Sequence, residues 1–221
     1  MSFEHMRLNL SNRRSAALTI WEVLIVLAVL GALAAVFWYR NYQKSAQISR
    51  RMTCVSNLKS VGIGFHTWAM DFDHEFPMQR SVTNNGTHEA VAAYQHFQFI
   101  SNELGSPLYL ICPADGGRVA ATNYTSDFNN SRLSYFVNRD ASNTNFNEFL
   151  SGDRNLTVNG KLAGSGQVTV STQDSLGWSS GFHVNQGNVV LSDGAVVSYS
   201  KAYIGTYFKT TTTLTNRLLF P

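Results

Sequence analysis

The stretch Leu18–Tyr39 constrains this chain more than any other. It runs 22 residues without a proline and carries a single charge, Glu22. As an α-helix it extends about 33 Å, close to the thickness of a bilayer's hydrocarbon core. Arg7, Arg13 and Arg14 precede it. Trp38 and Tyr39 close it, where an interfacial aromatic belt lies in membrane helices. The run therefore predicts a helix able to span a membrane once.

Three readings compete for it. One is a cleaved secretory signal, with a basic start and an A-x-A site at Ala32-Leu33-Ala34. The apolar run continues past that site to Trp38, which opposes it. The second is a plain signal anchor, with Glu22 near the headgroups. The third gives Glu22 a function. A carboxylate in lipid is costly and usually has a partner, and the run holds no positive charge. Cutting after Ala17 would create an α-amine on Leu18. In a stack of identical helices, that amine can meet a neighbour's Glu22.

The residues that carry the third reading are "AALTIWEVLIVLAVLGALAA". This stretch resembles the N-terminus of type IV pilins and type II secretion pseudopilins. In that family a short basic leader ends in a small residue, followed by an apolar residue, Thr and Glu at fixed spacing. Ala17, Leu18, Thr19 and Glu22 occupy those positions, and Gly31 falls at the family's helix glycine. Ala17 stands for the usual Gly, Leu18 for the usual Phe, and Trp21 is bulkier than the usual aliphatic. The resemblance implies a leader at 1–17, cleavage by prepilin peptidase and N-methylation of Leu18. It also implies a single pass through a bacterial inner membrane, N-terminus cytoplasmic and C-terminal domain periplasmic. Assembly with copies of itself and other pseudopilins follows, with Leu18 and Glu22 as the assembly pair. Counting positive charges opposes this orientation: Arg40, Lys44, Arg50 and Arg51 behind the run outnumber the three arginines before it.

Beyond the transmembrane segment 18–39, residues 40–76 predict an amphipathic continuation of the helix. Ile48, Met52, Val55, Leu58, Phe65, Trp68 and Phe72 form one stripe at spacings of three, four and seven. Gly62 and Gly64 weaken it late, and Pro77 marks its end. The stretch "CVSNLKSVGIGFHTWAMDFDHEFP" is similar to the post-anchor region of a large pilin-like family of bacterial proteins. Members often carry a later "CP-D" motif, here Cys112, Pro113 and Asp115. They also carry a C-terminal His, nine residues and Asp-Gly, here His183, Asp193 and Gly194. The three motifs stand in the family's order and cover most of the chain.

Residues 77–221 are long enough for one globular α+β domain. Charged residues are only 14%, against about 25% in an average soluble domain. The net charge of +3 is too small to suggest nucleic-acid binding. "EAVAAYQHFQFISNEL" predicts a short helix, while "PLYLIC" and "RLSYFVN" predict strands. Asp140–Gly166, rich in Asn, Ser and Gly, predicts surface loops. "GNVVLSDGAVVSYS" predicts a hairpin turning at Asp193-Gly194 with positive φ at both central residues. The tail "TTTLTNRLLF" predicts an edge strand.

Two cysteines occur, Cys54 and Cys112, outside any CxxC or linear Cys/His cluster. They predict either a disulfide in an exported domain or two buried thiols. His183 and Asp193 are separated by a strand of roughly 16 Å, at about 3.3 Å per residue. The expectation is structural: Asp193 shapes the turn and His183 fixes its loop. Asp71, Asp73, His74 and Glu75 read as a solvated helix end. No metal site or cofactor is assigned; calcium, which some major pseudopilins bind in this half, is the one weaker alternative, without an EF-hand-like Asp run. No nucleophile elbow, P-loop or H-E-x-x-H occurs, so no enzymatic activity is expected.

The expectation is thus a pilin-like α+β fold, its long N-terminal helix packed on a small antiparallel β-sheet, in a filament subunit. The alternative is a monomeric membrane-anchored binding protein recognising a glycan or other surface ligand through loop aromatics such as Trp178.

Overall fold

A computed structural model describes residues 19–211 and 215–221. The chain divides into two compact units between Ser45 and Ala46. The dividing point falls inside helix α1, Ile20–Met70. In the first unit this helix is apolar and exposed. Its most apolar window has a mean hydropathy of 2.6, and none of that window is buried. Among the described residues this is one helix long and apolar enough to cross a membrane.

In the second unit α1 gains a buried face. Cys54, Leu58, Val61, Phe65 and Trp68 recur at spacings of four and three and are all buried. This corrects the expected stripe: Ile48 and Met52 are exposed, and Val55 is only half-buried. The face begins near Cys54 and turns toward Val61. Gly62 and Gly64 sit where the helix meets its neighbours most closely. A β-carbon on Gly62 would lie 2.7 Å from Val190 Cγ2, and one on Gly64 2.9 Å from Leu104 Cδ2. Both glycines cost helix propensity and permit contact. The helix stops as expected before Pro77. Asp73 and His74 adopt positive φ, and the His74 N–H donates to the Ala69 carbonyl at 2.9 Å.

Among the described residues nine strands follow, in two sheets. β1 (Tyr135–Asn138), β2 (Phe149–Asp153), β5 (Gly166–Ser171), β7 (Gln186–Leu191), β8 (Val196–Ser200) and β9 (Thr215–Phe220) form the larger one. Its order is β5-β9-β1-β2-β7-β8, antiparallel throughout. β3 (Leu156–Val158), β4 (Lys161–Leu162) and β6 (Leu176–Trp178) form the smaller, ordered β4-β3-β6.

The central strands β1, β2 and β7 are buried on both faces, and the period of two assigns each side chain to a side. Tyr135, Val137, Leu150, Val190 and Leu219 join the core that includes Leu58, Val61 and Phe65 of α1. Phe136, Phe149, Val189, Leu218 and Phe220 join a second core with Trp178 of β6 and Ile204 and Phe208 of α4 (Lys201–Thr211). The α+β class holds, with the helix on an antiparallel sheet. The sheet is six-stranded and covered on both sides at its central strands.

Four local expectations differ from the structure. "PLYLIC" opens as a 3-10 turn, Pro107–Leu110, capped by Ser106, whose hydroxyl accepts from the Leu108 N–H at 3.3 Å. Asp140–Gly166 contains the wholly buried β2. Ser151 is tolerated there because its Oγ donates to the Phe136 carbonyl at 2.6 Å, and Asn138 of the neighbouring β1 donates through Nδ2 to the Phe149 carbonyl at 2.8 Å. The tail strand β9 lies between β5 and β1 rather than at an edge. The expected helix divides into α2 (Ala93–Phe99) and α3 (Ser101–Leu104).

Candidate functional site

At the start of α1, Thr19 and Glu22 form a reciprocal cap. Thr19 N–H donates to Glu22 Oε2 at 2.7 Å, and Thr19 Oγ1 donates to the same oxygen at 3.0 Å. The Glu22 N–H donates back to Thr19 Oγ1 at 3.4 Å. This is a capping box, T-x-x-E before an apolar run, and that spacing was legible in the sequence. It gives Glu22 a local role that the lack of a cation in the run concealed. Among the described residues no bond falls on Oε1. Ala17 and Leu18, the expected cleavage and assembly positions, lie outside the described residues.

The motif residues of the second unit converge on the contact between α1 and the larger sheet. Cys54 on α1 is joined to Cys112 by a disulfide, with Cα atoms 5.0 Å apart. Of the two options the sequence left open, the structure contains the pair. Asn57, one turn on, donates through Nδ2 to the carbonyl of Ile111 at 2.8 Å, beside Cys112. Lys59 Nζ donates to the carbonyl of Gly194 at 2.7 Å. "NLK" thus ties the helix to two distant loops, with Leu58 between them in the core.

Asp115 of the "CP-D" motif is buried and held by a fork. Arg154 Nε reaches Oδ2 and Nη2 reaches Oδ1, each at 2.8 Å, and Ser134 Oγ donates to Oδ2 at 2.9 Å. The bidentate geometry makes this pair strong, and its burial makes it costly to break. Arg154 also lies 4.8 Å over the ring centre of Phe182, next to His183.

His183 and Asp193 take different partners. Asp193 Oδ1 accepts from the Ala195 N–H at 2.7 Å, and Gly194 N–H donates to the Leu191 carbonyl at 2.9 Å. Gly194 alone of the two central residues has positive φ, +80°. The turn is therefore a type I turn closed by a glycine bulge, not the double positive-φ turn expected. The carbonyl of His183 accepts from the Gln186 N–H at 2.6 Å, as a loop-fixing residue should. Its ring reaches further: Nε2 is 3.4 Å from Cys112 Sγ and 3.6 Å from Asp153 Oδ2.

Cys54, Cys112, Asp153 and His183 are all buried, and one potential donor atom from each falls within a 4.8 Å group. Linear spacing gave no Cys/His cluster; the fold builds one from α1, the loop after the 3-10 turn, the end of β2 and the loop before β7. Asp153 carried no sequence signal. Asn188 donates to Asp153 Oδ2 from both N and Nδ2, at 2.7 and 2.9 Å. Burial pushes Asp153 up to about 7, and burial also lowers His183 to about 4. Both groups therefore favour their neutral forms here.

The other candidates are structural. Arg80 pairs with Glu75 at 2.7 Å and reaches Asp73 at 3.8 Å, so the acidic helix end is an exposed ion pair. Trp178 is 1% exposed and packs on Gly187, where a β-carbon would lie 2.5 Å from its ring. This corrects its expected role as an exposed ligand-binding aromatic. Comparison with protein-family models, curated proteins and solved structures found no match for the chain.

Proposed function

We propose that the chain is a pilin-like structural subunit of a type II secretion pseudopilus or related type IV filament. The single observation that carries this reading is the division of labour along α1. Its first part offers an unbroken exposed apolar surface, including Leu24, Leu27, Leu30 and Leu33. From Cys54 its later part is built into the core of an antiparallel α+β domain. An apolar surface of that length requires lipid or other helices around it. A filament subunit uses both in turn.

Prepilin peptidase removes residues 1–17 and leaves the Leu18 amine, which is then methylated. The helix leaves the inner membrane and packs against copies of itself and other pseudopilins. Glu22, already aligned by Thr19, meets the Leu18 amine of a neighbouring subunit. The domain faces the periplasm and decorates the filament. No catalytic step is assigned to it.

Glu22→Gln separates charge from capping, because Gln also completes a capping box. The reading predicts that Glu22→Gln and Glu22→Ala both insert into the membrane but lose subunit–subunit crosslinking along the helix. Wild-type crosslinking in Glu22→Gln would remove charge pairing from the mechanism.

A further inference from the structure

We propose that Cys54, Cys112, Asp153 and His183 form a closed zinc site in the reduced chain, with the disulfide and the metal as alternative occupants of one position. The inference is independent of the filament reading.

A disulfide needs no buried carboxylate and no buried imidazole beside it. Here both are present. The Asp153 side chain has no exposure and that of His183 has 4%. Asp153 Oδ1 finds no hydrogen-bond partner. A wholly buried carboxyl group with an orphan oxygen is expensive, and a buried polar atom normally marks a hydrogen-bond partner or a metal. At 3.6 Å, His183 Nε2 and Asp153 Oδ2 are too far apart for a good hydrogen bond. They are, however, close to the edge of a tetrahedron with metal–ligand bonds of about 2 Å. His183 Nε2 to Cys112 Sγ, 3.4 Å, is a similar edge.

The donor set is two thiolates, one imidazole and one carboxylate. Such a mixed, borderline-soft set suits Zn²⁺ better than Ca²⁺ or Mg²⁺, which take oxygen ligands. Four protein ligands leave no open position, so the site is structural rather than catalytic. Two thiolates and a carboxylate around a divalent ion leave one net negative charge. Asn188 holds the Asp153 carboxylate in place, as an outer-shell partner does.

The exchange balances. A phosphine reduces the disulfide: one phosphine and one water give two thiols and one phosphine oxide. Zn²⁺ then binds both sulfurs and the Asp153 carboxylate, displacing the two thiol protons and the proton of the Asp153 carboxyl group to solvent, together with neutral His183. An external disulfide reverses the process: its S–S bond breaks, it takes two electrons from the zinc-bound sulfurs and two protons from solvent to leave as two thiols, the Cys54–Cys112 bond forms and Zn²⁺ leaves. Either occupant fastens α1 to the sheet, so the domain stays closed in both redox states.

The test uses the full chain in detergent, reduced anaerobically with a phosphine, with Co²⁺ as the spectroscopic probe. The reduced wild type is expected to bind one Co²⁺ with intense tetrahedral d–d bands and a thiolate charge-transfer band, which Zn²⁺ bleaches. The oxidised protein is expected to show neither. His183→Gln and Asp153→Asn should weaken binding by more than the ~10–100-fold typical of losing an outer-shell partner. Zn²⁺ should also slow re-formation of the disulfide in the wild type, a readout that requires no variant to fold. Absence of tetrahedral bands in the reduced wild type overturns the proposal. So does binding unchanged in both variants, or re-oxidation at the same rate with and without Zn²⁺.

Discussion

Arg154 grips both oxygens of Asp115, Nε on Oδ2 and Nη2 on Oδ1, each at 2.8 Å. The carboxylate side chain is 2% exposed, so the fork is the chief compensation for burying it. Asp115 follows Cys112 in a tight turn, in which the Asp115 N–H donates to the Cys112 carbonyl at 2.8 Å. Arg154 directly follows Asp153 at the end of β2. The fork therefore sets both the disulfide loop and the strand end that carries Asp153. Arg154→Lys cannot reproduce two parallel bonds. Arg154→Ala is expected to cost about 3 kcal/mol, because it leaves the buried carboxylate only the Ser134 hydroxyl and Arg118, whose Nε is 3.9 Å from Oδ2. Arg154→Lys should recover only part of this. Urea unfolding of each variant measures the difference.

Removing the disulfide relaxes a loop closed over a sequence separation of 58. Chain entropy values such a crosslink at about 4 kcal/mol. A Cys54→Ser/Cys112→Ser protein should keep the fold and unfold at lower denaturant, and thermal denaturation with far-ultraviolet circular dichroism reports both.

Gly62 and Gly31 make a matched pair on one helix. Gly62→Ala should destabilise the domain by roughly 1–3 kcal/mol through overpacking against Val190, despite the better helix propensity of Ala. A β-carbon on Gly31 meets nothing within 4 Å. Gly31→Ala should leave the domain's unfolding midpoint unchanged. A stabilised Gly62→Ala would mean the helix does not lie as close to the sheet as described.

His96 gives the fold an acid limit. Its Nδ1 is 2.7 Å from Thr87 Oγ1 inside the core, and burial lowers its pKa to about 4. The unfolded value is near 6.5, so the folded state resists taking the proton. The stabilisation is complete above about pH 6.5 and is lost as the pH falls toward about 4. Melting temperatures measured across that interval should fall for the wild type. His96→Leu should make the decline shallower without abolishing it, because burial also lowers His183 to about 4; an unchanged slope would show that His96 contributes nothing to it.

The sequence carried some of this architecture plainly. The apolar run, the helix stop before Pro77 and the hairpin around Asp193-Gly194 each depend on nearest neighbours, and each appears. What escaped depends on distant pairing. Asp153 looks unremarkable beside Asn and Gly in a polar stretch, and only the fold brings it to His183. β9 read as an edge because nothing in "TNRLLF" announces strands on both sides. The Thr19–Glu22 cap is legible as a T-x-x-E spacing before an apolar run, a local signal independent of any cation. Trp178 misled because an aromatic near Ser and Gly suggests a loop, whereas Gly187 opens a buried slot for its ring.

The proposed filament role depends most directly on the N-terminus of the mature chain. Intact mass analysis of the protein purified from membranes of cells possessing prepilin peptidase reads it directly. The expected result is a chain beginning at N-methylated Leu18, short by residues 1–17. A chain that retains Met1, or one that begins at Ala35 or later, contradicts it.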